Sequence, residues 1–162
     1  MLFRSQLFNG RYLNLALRRE VKRARRYRTP VSVIFLDLDG FKNVNDRHGH
    51  LAGSRALVEV GHVIRGTVRE IDIVSRYGGD EYTIVLPQTG PEGAAVIAER
   101  IRRNIEETVF LKSMGHEVRL TASLGVASHP DHAHSREELI SKADQAMYQV
   151  KDAHKNGVAL AE

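Results

Sequence analysis

Ile71-Asp-Ile-Val-Ser-Arg-Tyr-Gly-Gly-Asp-Glu-Tyr-Thr-Ile-Val-Leu86 decides the fold class. Its β-branched and aromatic residues fall in two runs, Ile71 to Tyr77 and Tyr82 to Leu86, separated by Gly78-Gly79. A Gly-Gly pair between such runs is the signature of a β-hairpin, so an antiparallel strand pair is expected in the middle of the chain. Upstream, Val31-Ser-Val-Ile-Phe-Leu36 is apolar at odd and even positions alike, the pattern of a central strand covered on both faces. Downstream, Val118 to Ala127 reads as a further strand.

Helical stripes fill the intervals. Leu13, Leu17, Val21 and Ala24 recur at helical spacing from Arg11 onward, and Thr29-Pro30 closes that element because the residue before proline is driven out of the helical region. Leu57, Val60, Gly61, Ile64 and Val68 form a second stripe. Thr89 and Glu92 have capping-box spacing ahead of Ala94, Ile97, Ala98, Ile101 and Ile105. Ser135 and Glu138 repeat that spacing ahead of Leu139, Ala143, Ala146, Met147 and Val150, after which come Asn156-Gly157 and a short apolar tail. Helices alternating with strands, one pair of them a hairpin, predict an α+β domain with a mixed sheet flanked by helices. A length of 162 residues with 42% hydrophobic and 27% charged content fits one such domain over residues 1–162.

Composition narrows the function classes. The chain has no cysteine, which excludes a disulfide framework and a thiolate metal site. No apolar run reaches the roughly 20 residues needed to span a bilayer, so no membrane insertion is expected and the domain is placed in the cytoplasm. The net charge is +4, with Arg18, Arg19, Lys22, Arg23, Arg25, Arg26 and Arg28 crowded together. No aromatic residue is interleaved among them for base stacking, so the cluster reads as a solvated helix face and nucleic acid is not expected as a partner.

The chemistry gathers at strand ends. Asp37 and Asp39 close the apolar strand, and period two puts both on the face shared by Val33 and Phe35. Ionised acids there are costly unless something positive meets them. Asp80 and Glu81 follow the glycine pair, and a hairpin can bring them beside that strand end. A few carboxylates with little else suit Mg²⁺, which takes oxygen ligands and shares substrate phosphates. His48 and His50 have no third ligand at zinc-site spacing.

Arg76-Tyr-Gly-Gly-Asp-Glu-Tyr82 is similar to the GGDEF signature, with tyrosine in its last place, and Leu36-Asp-Leu-Asp-Gly-Phe-Lys-Asn-Val-Asn45 is similar to that family's metal and nucleotide segment. From about Leu7 to Gly157 the chain resembles a GGDEF domain. The resemblance implies a fold like nucleotidyl cyclases and polymerase palms, with a central five-stranded mixed sheet. It also implies a homodimer in which each domain holds one triphosphate and each 3′-hydroxyl attacks the partner's α-phosphate. By the family pattern Asp37, the carbonyl of Leu38 and Asp80 hold Mg²⁺ or Mn²⁺, two ions per active site. Asp80 or Glu81 helps remove the proton, and Lys42, Lys151 and Lys155 meet the phosphates. Lys155 stands where arginine is commoner, which keeps the charge and loses the bidentate fork. Phe41, Asn45, His50, Ser54, Gly78 and Gly79 match nucleotide-binding positions, and an amide at Asn45 can both donate to and accept from a purine edge. Arg69 and Asp72 match an RxxD inhibitory site for the cyclic dinucleotide product, with Arg100 as its accessory arginine.

The chain departs from the family in two places. Residues 1–8 are an atypical or truncated start, with only Leu7 and then Asn9 in their usual places. The sensory or dimerising domain usual upstream is not within the chain. Ser54 replaces the usual aspartate that accepts from the guanine edge. A hydroxyl donates or accepts, so it tolerates either purine. This resembles the hybrid branch that takes GTP and ATP and makes 3′,3′-cyclic GMP-AMP as well as cyclic di-GMP, which is the expected activity. The alternatives are a strict diguanylate cyclase and an inactive cyclic di-GMP receptor acting through Arg69 and Asp72.

Overall fold

The computed structural model describes Leu7 and residues 9–162, so most of the atypical start lies outside the described residues. Helix α1 (Gly10–Tyr27) leads into strand β1 (Val31–Asp39), then α2 (Phe41–His48), α3 (His50–Thr67), β2 (Ile73–Gly78), β3 (Glu81–Pro87) and α4 (Pro91–Glu107). A 3₁₀ turn at Lys112–Met114 precedes β4 (Thr121–His129), α5 (Arg136–Ala153) and β5 (Gly157–Leu160). The five strands form one sheet in the order β2-β3-β1-β4-β5. Among the described residues only the β4–β5 pair is parallel, so the sheet is mixed as expected.

The both-parity apolar pattern of β1 has its predicted consequence. Ile34, Leu36 and Leu38 enter one core with α2, α3 and α4, while Val31, Val33 and Phe35 enter a second core with α1 and α5. Tyr82 is fully buried in the first core, where its hydroxyl donates to the Leu57 carbonyl at 2.5 Å. That bond satisfies the phenol in the place where the signature usually carries phenylalanine. Leu7 packs into the same core, against Gly61 of α3.

Gly125, in the middle of β4, sets the position of α5. A Cβ there would lie 2.1 Å from the Ala143 carbonyl oxygen and 2.2 Å from the Met147 amide nitrogen. The helix backbone therefore rests directly on the strand, an approach only glycine permits. Lys151 lies one turn beyond Met147, and this contact brings it to the end of β1.

Several boundaries differ from the periodicity. Thr89 does not cap α4: Gly90 is the N-cap, Pro91 occupies the first turn, and the Thr89 hydroxyl donates to the Pro87 carbonyl. Ser135 does cap α5, accepting from the Glu138 amide at 3.1 Å, while Glu138 accepts from the His134 amide. Val118 lies outside β4 and forms a bridge with Phe110, and the strand runs on to His129. Asn9 caps α1 by accepting from the Tyr12 amide at 2.9 Å. No described helix is long and apolar enough to cross a membrane.

Candidate active site

The hairpin turn is centred one residue later than the glycine pair suggests. Gly78 pairs with Glu81, leaving Gly79 and Asp80 at the tip. Gly79 adopts φ +48, a left-handed conformation that glycine takes without a Cβ penalty. The tip is tied to β1, because the Leu38 amide donates to the Asp80 carbonyl at 3.2 Å. Next to that bond Glu81 sits opposite Asp37 in the β1–β3 register. Asp37, Asp39, Asp80, Glu81 and the Leu38 carbonyl thus gather at one end of the central strand.

The expected positive partner of the strand-end acids is Lys151. Its ammonium donates to the Leu38 carbonyl at 2.8 Å and to Asp39 Oδ1 at 3.0 Å, and pairs with Asp37 Oδ2 at 3.4 Å. The two acids nevertheless differ. Burial, then Asp80, push the Asp37 carboxyl up to about 6 against the pull of Lys151. Burial also works to raise Asp39, but hydrogen bonds from Thr121, Ser123, Lys151 and the Asn156 amide outweigh it and hold it below the usual carboxylate range. Burial, followed by Asp80 and Asp144, raises Glu81.

These residues fit a divalent ion. Asp37 Oδ1 is buried and has no partner among the described residues, and a buried carboxylate oxygen left unbonded is costly unless a cation meets it. Beside it are a backbone carbonyl and Asp80, the hard oxygen donors that Mg²⁺ and Mn²⁺ prefer. Among the described residues no three His, Asp or Glu side chains form a metal cluster by themselves. His48 stacks instead against His116, with centroids 4.3 Å apart.

The other expected site residues fall into separate groups. Phe41 is buried and Lys42 exposed at the start of α2, directly after the acids and Gly40. Asn45 reaches the first turn of α3, where it lies against Gly53 beside the exposed Ser54; His50, also exposed, begins that helix. Lys155 is exposed past the end of α5. Arg69 and Asp72 close on one another: Asp72 Oδ2 accepts from the Arg69 amide and Nε at 2.8 and 3.2 Å, and Oδ1 from Nη2 at 2.9 Å. Arg69 Nη2 also donates to the Pro87 carbonyl and the Thr89 hydroxyl. Arg100 is exposed on α4, and among the described residues no hydrogen bond or ion pair joins it to Arg69 or Asp72.

The chain belongs to the GGDEF family: the family model, described as diguanylate cyclase, GGDEF domain, matches residues 4–157. It is 39% identical over 158 residues to the bifunctional diguanylate cyclase/cyclic di-GMP phosphodiesterase MucR of Pseudomonas aeruginosa, covering 98% of this chain and 23% of that protein. It is also 39% identical over 159 residues to the diguanylate cyclase DosC of Escherichia coli strain K12, covering 96% of this chain and 34% of DosC. The chain thus spans about a third or less of the length of these curated relatives. Its backbone matches the crystal structure of the GGDEF domain of PA1120 (YfiN or TpbB) from P. aeruginosa with a TM-score of 0.93, 36% identity and 98% coverage of both chains. The fold is the palm-like cyclase fold of that family.

Proposed function

We propose that this domain condenses two GTP molecules into cyclic di-GMP, releasing two pyrophosphates, as a Mg²⁺- or Mn²⁺-dependent diguanylate cyclase. The observation that carries this reading is the unpartnered Oδ1 of Asp37 beside the Leu38 carbonyl, with Glu81 opposite and Asp80 at the adjoining tip. Bound at Asp37, Leu38 and Asp80, the metal would polarise the phosphates and acidify the attacking 3′-hydroxyl. In each half-reaction a bond forms between the 3′-oxygen and the α-phosphorus, and the bond from that phosphorus to the oxygen bridging to the β-phosphate breaks. Glu81, made more basic by burial and Asp80, suits the role of proton acceptor. Lys42, Lys151 and Lys155 neutralise charge on the triphosphate, and Asn45 reads the guanine edge. Each domain supplies one nucleotide, so a homodimer is the working unit. Product returns to Arg69, Asp72 and Arg100 as an inhibitor, and an upstream domain in the full protein brings two copies together.

Relatives named as diguanylate cyclases favour cyclic di-GMP as the sole product over the mixed product expected from Ser54. Mixed 3′,3′-cyclic GMP-AMP, with ATP as second substrate, is the secondary reading. It is favoured by the place of Ser54 immediately after Gly53, the residue against which Asn45 packs. Purified protein given equimolar GTP and ATP with Mg²⁺ tests both. Cyclic di-GMP with pyrophosphate, at a specific activity that climbs with protein concentration, supports the cyclase. Cyclic GMP-AMP alongside it establishes the hybrid reading, and loss of that product in Ser54→Asp assigns it to this serine. Tight cyclic di-GMP binding with no turnover at high protein concentration makes the domain a receptor instead.

A further inference from the structure

Asp37 and Asp39 leave β1 on the same face, yet the structure treats them oppositely. Asp37 keeps one buried oxygen without a partner among the described residues, whereas Asp39 is saturated. Its Oδ1 accepts from the Ser123 hydroxyl at 2.8 Å and the Lys151 ammonium at 3.0 Å. Its Oδ2 accepts from the Thr121 hydroxyl at 2.7 Å and the Asn156 amide at 2.9 Å. An ionised carboxylate offers about four acceptor sites, so Asp39 has none left for a metal or a substrate. The donors come from β4, from α5 and from the turn into β5.

That turn is conformationally demanding. Lys155 and Asn156 are consecutive non-glycine residues in the left-handed region, at φ 55 and 43, a backbone that persists only when its surroundings over-determine it. The surroundings are explicit here. Asp39 holds the Asn156 amide, Arg102 donates to the Asn156 side-chain oxygen at 2.9 Å, and the Asn156 amide group donates to Glu106. The Lys155 amide closes α5 by donating to the Val150 carbonyl at 2.8 Å.

We infer that Asp39 is a positioning residue for triphosphate binding, acting through Lys151 and through the Lys155–Asn156 turn. A free lysine side chain loses much rotamer entropy when it meets a phosphate. Lys151 has already lost it, because Asp39 orders the ammonium and the helix end that carries it. The inference rests on the proposed role of Lys151 toward phosphates, and its test separates the two.

The experiment measures binding of a non-hydrolysable GTP analogue, with Mg²⁺, by calorimetry to the whole chain and its variants, alongside the thermal midpoint. Asp39→Asn keeps the shape and removes the charge and one acceptor, and is expected to bind about tenfold more weakly. Lys151→Met is expected to lose a similar factor. In the double variant Lys151→Met adds less than about twofold to the loss in Asp39→Asn, because the ammonium is already misplaced. Losses that multiply to about a hundredfold, or wild-type binding by Asp39→Asn, overturn the positioning role. Wild-type binding by Lys151→Met removes the phosphate role of Lys151 and the inference with it. If Asp39→Asn does not fold, Ser123→Ala takes its place: weakening of about two- to threefold that vanishes in the Lys151→Met background supports the role, and an equal factor in both backgrounds overturns it.

Discussion

The Asn45 side chain occupies the space that a Cβ on Gly53 would need: the added atom would lie 1.8 Å from Asn45 Oδ1 and 3.4 Å from the Phe41 ring. Gly53 is buried within α3, so its value is the room it leaves rather than any special dihedral. Gly53→Ala is expected to turn the Asn45 amide away from its present direction. The domain should stay folded, since α3 tolerates alanine well, while KM for GTP rises about tenfold or more. Steady-state kinetics with a thermal melt would check this, and an unchanged KM in a folded variant would remove Asn45 from base recognition.

Asp80→Asn is expected to abolish turnover and spare the fold. Asp80 stands at the hairpin tip, and the bond that anchors it to β1 uses its backbone carbonyl, which the substitution leaves in place. The lost charge also repels Asp37, so stability should hold or rise slightly. Pyrophosphate release and chemical denaturation measure the two effects, and retained activity would take Asp80 out of the metal site.

Asp37 gives the site a pH dependence of known sign. Its native carboxyl titrates at about 6, above its ordinary value. Between those values the folded chain holds the proton more tightly than the unfolded one, so this group's contribution to stability falls as pH rises to about 6 and is constant above. A metal must displace that proton. Mn²⁺ affinity, read by electron paramagnetic resonance without nucleotide, should fall by up to about tenfold per unit as pH drops below about 6. A flat profile down to pH about 5 would show an ordinary carboxylate.

Arg69 and Arg100 should separate structure from inhibition. Asp72 is fully buried and its charge is met by the half-exposed Arg69, so Arg69→Ala strands a buried carboxylate. A cost of about 2 kcal/mol is expected, visible in urea denaturation. Arg100 is exposed on α4. Arg100→Ala should therefore leave stability unchanged while raising severalfold the cyclic di-GMP concentration that halves the rate. Unchanged product sensitivity would return Arg100 to the solvated surface.

The sheet and the strand-end acids were legible because their signals are local. Alternation placed Asp37 and Asp39 on one face and demanded a cation, and α5 delivers Lys151 there. Nothing in the sequence paired Lys151 with these acids, since they lie more than a hundred residues apart and no periodicity encodes that distance; family resemblance implied only that Lys151 meets phosphates. The saturation of Asp39 was hidden for the same reason, as its donors come from three separate elements. Gly125 left a trace, an isolated glycine in a strand, which marks close backbone approach. The capping signal at Thr89 misled because Pro91 already starts α4, freeing the threonine hydroxyl for the Arg69 turn. Helix α2 is only eight residues long, too short for an apolar stripe to declare itself.

Strand β3 behaves as a strut. It is paired without interruption to β1 from Pro87 to Glu81 and is clamped at both extremities, by Arg69 on the Pro87 carbonyl and by Leu38 on the Asp80 carbonyl just beyond. Its seven residues span roughly 20 Å. On the outer side the ladder with β2 slips between Arg76 and Gly78, next to the tip. The Arg69 turn and the Asp80 tip are thereby joined by one continuously paired strand, with the Pro87 carbonyl held at one end and the Asp80 carbonyl just beyond the other.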